Sequence, residues 1–70
     1  MDWPSIIRTL RERMGMSQKT FGEFFGASLT SVYRWESGIT IPLTQFKMKI
    51  IEKCRELGVP LDRFILIRTR

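Results

Sequence analysis

The sequence predicts a compact all-α domain of five short helices over residues 1–70, and three observations predict it. Apolar residues recur at three- and four-residue spacing between helix breakers. Serines stand where helix N-caps are needed, and glycines follow where the helices must stop. No strand-like alternation precedes the last few residues. The expected helices cover about 4–14, 18–25, 29–36, 43–57 and 61–66.

Each element has a local reason. Pro4 suits a first helical turn, where its missing N–H costs nothing. Ile6, Ile7, Leu10 and Met14 then recur at helical spacing, and Gly15 can take the left-handed conformation that ends the first helix. Ser17 is the next N-cap, with Met16 and Phe21 placed for a hydrophobic staple. The second helix stops at Gly26, and Ser28 caps the third with Ala27 and Val32 at the staple positions. Ser37-Gly38 ends that helix, and Ile39 to Pro42 form a loop. In the fourth helix the inward stripe is expected to be Leu43, Phe46, Ile50, Cys54 and Leu57. Gly58 ends it, and Pro60 opens a last short helix through Leu61, Phe64 and Ile65. The run Phe64-Ile65-Leu66-Ile67 is equally β-compatible.

Composition narrows the functional classes. Seventy residues allow one small domain, and 43% hydrophobic residues suffice for its core. Twelve Lys+Arg against seven Asp+Glu give +5 without histidine, which favours polyanionic partners only modestly. The lone Cys54 allows no internal disulfide and no thiol metal cluster, and is read as a small buried filler. No run approaches the ~20 apolar residues of a membrane span, and Asp2 stands where a signal peptide carries positive charge. A cytoplasmic protein without cofactor or metal is expected. Catalysis is disfavoured, because there is no plausible nucleophile–base pair and no Gly-rich phosphate loop.

The informative segment runs from Ser17 to Gly38. Two helices joined by so short a turn must cross closely, near a right angle. Gly22 falls at the crossing, and Gly26 falls in the turn where a positive φ is needed. Phe21, Phe25, Val32 and Trp35 supply a shared apolar wedge. The 100° step then turns Ser28, Leu29, Thr30, Tyr33 and Arg34 outward. An exposed helix of this width fits a major groove, and an arginine on it can contact guanine bidentately.

At these positions the chain resembles the lambda-repressor-like (Cro/Xre) helix-turn-helix family. Ser17-Gln18, Gly22, Gly26, Val32, Trp35-Glu36, Gly38 and Pro42 carry the resemblance, and Leu57-Gly58-Val59 with Leu61-Asp62 continue it. The resemblance implies a sequence-specific transcriptional regulator, most often a repressor, that binds double-stranded DNA as a two-fold homodimer. It makes the third helix the recognition helix, with base contacts from Ser28, Leu29, Thr30 and Arg34. It gives Gln18, Lys19 and Ser31 to the phosphates, and pairs Arg11 with Glu36 as a structural ion pair. Two departures stand out. Ile39-Thr40-Ile41 replaces the loop cations of many relatives, which shifts phosphate binding towards backbone N–H groups and Lys47 or Lys49. Leu29 is apolar where relatives often carry glutamine or arginine; it reads a thymine methyl, or direct readout is sparse.

Plainer readings stand beside these. Gln18 alone is an ordinary helix-start residue, and Trp35 is core rather than a stacking platform. Tyr33 and Phe24 are divided among packing, DNA contact and a subunit contact. Met48, Ile51 and the tail from Phe64 to Ile67 are the candidate dimer contact. The rival functions are an antitoxin-like module that binds a partner protein (a toxin) and regulates its own operon, and a coactivator or scaffold that reads no sequence.

Overall fold

The computed structural model describes residues 1–64, with side chains described through Asp62. Four α-helices follow one another: α1 (Trp3–Arg13), α2 (Gln18–Phe25), α3 (Leu29–Ser37) and α4 (Thr44–Leu57). A four-residue 3-10 turn, Leu61–Phe64, ends the described chain, and no strand occurs among these residues.

The caps set the boundaries. Asp2 accepts from the Ser5 N–H at 3.2 Å, so α1 starts at Trp3 and Pro4 still lies in the first turn. The Ser17 hydroxyl accepts from the Thr20 N–H at 3.1 Å. The Ser28 hydroxyl accepts from the Ser31 N–H at 3.0 Å. Leu43 caps α4 through backbone geometry alone.

Trp3, Ile6, Ile7 and Leu10 from α1, Phe21 and Phe25 from α2, and Val32 and Trp35 from α3 form the core with Ile50, Cys54 and Val59. Helix α4 departs from the expected stripe. Ile50 and Cys54 are fully buried and Phe46 is half-buried, its ring 5.3 Å from that of Trp35. Leu43 and Leu57 are exposed. Pro42, fully buried, fills the place at the helix entrance that periodicity gave to Leu43, and Leu43 is turned to solvent. Half-buried Ile51 takes the inward place further along. The expected fifth helix is corrected as well: after Pro60 the described backbone makes only the tighter 3-10 turn, in which Leu61 packs against the core. The remainder of that expected helix, and Ile65 to Ile67 of the candidate dimer tail, lie outside the described residues.

Candidate nucleic-acid interface

The α2–α3 junction is built at contact distance. A Cβ placed on Gly22 would lie 2.7 Å from the Ala27 carbonyl oxygen and 3.3 Å from both the Ser28 oxygen and Val32 Cγ2. Gly26 holds φ +81°, left-handed, and so turns the chain sharply from α2 into α3. Phe21 is fully buried, with its ring 4.7 Å from that of Phe25. These contacts fix which face of α3 points away.

That outward face carries Leu29, Thr30, Tyr33 and Arg34, all exposed. Two rows run along it at the i, i+4 spacing, an apolar row of Leu29 and Tyr33 and a polar row of Thr30 and Arg34. Guanidinium hydrogen bonds and ion pairs among the described residues belong to Arg8, Arg11 and Arg13, which leaves the Arg34 side chain without one. Ser28 is exposed, but its hydroxyl caps the helix and also donates to the Ser31 hydroxyl at 3.0 Å. Ser31 is half-buried.

Behind α3 a charged cluster holds the helix in place. Glu36 is 7% exposed and accepts from Arg11 Nε at 2.6 Å, Arg11 Nη2 at 3.1 Å and Gln18 Nε2 at 3.3 Å. Arg11 Nη1 also donates to the Met16 carbonyl at 3.1 Å, while Arg8 Nε lies 3.7 Å from the Glu36 carboxylate. The Arg11–Glu36 pair thus links α1, the α1–α2 turn, α2 and α3. The structure brings Gln18 to this cluster at the first turn of α2, half-buried. Lys19 is exposed and pairs loosely with Glu23 at 3.8 Å. Arg8 is the member that sequence reading missed; its position three residues before Arg11 on one helix is the only signal that pointed to it.

The second pair of candidate phosphate groups is divided between roles. Lys47 Nζ lies 5.7 Å from the Trp3 ring and Lys49 Nζ lies 5.9 Å from the Phe46 ring. Phe24 is half-exposed, edge-on to Phe25 and beneath Lys53 Nζ at 5.2 Å. Among the described residues no helix is long and apolar enough to cross a membrane, and no group of three or more His, Cys, Asp or Glu could hold a metal ion.

The Glu36 cluster gives a pH signature. Burial pushes the carboxyl up, but hydrogen bonds from Arg11 and Gln18 and the charges of Arg11 and Arg8 outweigh it and leave it below the ordinary range. Arg11 is raised by its hydrogen bond to Glu36. A carboxyl depressed in the folded state contributes stability above its unfolded value, and this is lost as pH falls through the folded one. The melting temperature is therefore expected to hold through mildly acidic pH and fall below the usual Glu range. Glu36→Gln is expected to flatten that acid limb in a melting series; an unchanged limb would assign it to other carboxylates.

The fold and this outward face define a helix-turn-helix, with α2 as the supporting helix and α3 as the one presented. The helix-turn-helix family HTH_3 (Cro/C1-type, Xre-like) matches residues 7–64, and the chain belongs to it. Membership implies DNA binding without enzymatic activity. No match was found among curated proteins or among solved structures.

Proposed function

We propose that this protein is a sequence-specific transcriptional regulator, acting as a repressor, that binds duplex DNA with α3 in the major groove. The observation that carries this reading is the outward face of α3, with an exposed Arg34 that has no ion pair among the described residues and no role in the core. Arg34 reads guanine, with Thr30 and Leu29 on neighbouring bases. Ser28 remains at the groove edge, with much of its hydrogen-bonding capacity used in the cap. Lys19, Ser31 and the first turn of α2 meet phosphate, where free N–H groups and the helix dipole favour an anion. Gln18 buttresses α3 through Glu36 and closes on the backbone from that position.

A two-fold dimer, with half-sites about one DNA turn apart, completes the reading. Exposed Met48 on α4, and exposed Ile39, Ile41 and Leu43 before it, supply apolar surface for a subunit contact. Half-buried Ile51 belongs more to the core than to such a contact.

Selection from a random duplex library at near-physiological salt tests the reading, and a palindromic enriched site is expected. Arg34→Ala is expected to weaken that site by about 1–3 kcal/mol and to relax one base position. Equal, small losses on selected and random duplex would remove Arg34 from base reading. Absence of any enriched site would turn the assignment to a partner-protein role, in which binding depends weakly on salt rather than with a slope near −0.9 per phosphate contact.

A further inference from the structure

We infer that the Leu29–Tyr33 row is a methyl-reading surface, which makes the 5-methyl group of a pyrimidine a determinant of the recognised sequence; this rests on the DNA-binding reading above. Leu29 is 50% exposed and Tyr33 54% exposed, and neither belongs to the core or to the residues packed against it. They stand at i and i+4, so their side chains lie side by side, with ~5–6 Å between Cβ atoms. One base step on a strand advances ~3.4 Å, so the row covers between one and two steps.

The polar side of the same helix is nearly spent. The Ser28 hydroxyl accepts from the Ser31 N–H and donates to the Ser31 hydroxyl, leaving Thr30, Arg34 and the phenol tip of Tyr33 as the exposed polar groups of the groove face. So few polar groups specify few base pairs. The Leu29 side chain and the Tyr33 ring below its phenol tip offer no donor or acceptor, and the one apolar feature of the major-groove floor is the pyrimidine 5-methyl. Thymine carries it, and 5-methylcytosine presents the same group at the same ring position. The recognised step therefore pairs a guanine, read by Arg34, with a methyl-bearing pyrimidine, read by Leu29 and Tyr33.

The methyl contact separates from every other contact by changing one group of atoms. In the selected duplex, each thymine is replaced in turn by uracil, which removes only the methyl, and affinity is read by fluorescence anisotropy. Burying one methyl corresponds to about a fourfold change in affinity. One or two positions per half-site are expected to lose that factor, and the remaining thymines to be indifferent. Leu29→Ala and Tyr33→Ala proteins, with melting curves confirming their folds, are expected to bind thymine and uracil duplexes at those positions alike. With the sensitive T·A pair changed to C·G, 5-methylcytosine is expected to bind about fourfold tighter than cytosine. A selected site indifferent to uracil at every position, or discrimination that survives both substitutions, overturns the inference and leaves DNA binding standing. Failure to select any site overturns the DNA-binding reading and the inference with it.

Discussion

Gly22→Ala is expected to lower the melting temperature, by up to roughly 15 °C, although alanine is the better helix former. Inside an exposed helix the exchange gains about 1 kcal/mol. Here the new Cβ meets the Ala27 carbonyl oxygen at 2.7 Å, and that oxygen belongs to the turn backbone, not to a side chain that can swing away. The same turn is pinned from within, because the Ala27 N–H donates to the Gly22 carbonyl at 2.7 Å. Relief requires α3 to move off α2, which opens contacts around fully buried Phe21 and Val32. Overpacking of this kind costs about 1–3 kcal/mol, and each 1 kcal/mol moves the midpoint of a domain this size by about 4–8 °C. Gly22→Leu is expected to abolish cooperative unfolding.

Gly26 supplies the control. Nothing lies within 4 Å of a Cβ there, so only its φ of +81° opposes a side chain. Asparagine tolerates that conformation better than other residues. Gly26→Asn is therefore expected to keep most of the stability, while Gly22→Asn does not. Equal losses at the two positions would show that the turn conformation, not the helix crossing, is what both glycines serve.

What was legible in the sequence was mostly local. Ser17, Gly26 and Ser28 announce their caps because the groups they satisfy lie within three residues. Gly22 was legible because a short-turn crossing leaves no other place for a missing side chain. The entrance to α4 was not: period 3.6 identifies a face but not the depth at which the helix meets the core. Buried Pro42 displaced Leu43 from that place. The 3-10 turn after Pro60 failed to follow the helical pattern for a related reason, since four residues contain too little periodicity to separate a tight turn from a helix. The candidate site divides in the same way. Exposure of Arg34 followed from the wedge opposite it, but the Gln18–Glu36 bond joins residues 18 apart, and no local spacing encodes it. Only family resemblance pointed towards Gln18. Arg8 had no comparable pointer, because an arginine on an exposed face of α1 is unremarkable until the position of Glu36 is known.

The charged cluster behind α3 yields the second large effect, and its asymmetry is the informative part. Arg11→Met is expected to destabilise by about 3–5 kcal/mol, the range for a buried pair that loses one partner. It strands the Glu36 carboxylate, whose side chain is 5% exposed, with Gln18 and a more distant Arg8 as its remaining donors. Glu36→Leu is expected to cost less, because Arg11 is 19% exposed at its side chain and can turn its guanidinium to water. Changing both residues removes the stranded charge altogether. Hydrophobic replacement of both members of a buried pair is often near neutral, so the double variant is expected to be more stable than Arg11→Met alone. Urea midpoints of the four proteins give the coupling directly. Additive losses would mean that the carboxylate finds solvent when Arg11 is gone. A double variant that regains stability yet binds the selected duplex more weakly would show that the polar cluster around Glu36, and not packing alone, sets the pose of α3, because the apolar pair restores packing without the Gln18 bond that ties α2 to Glu36.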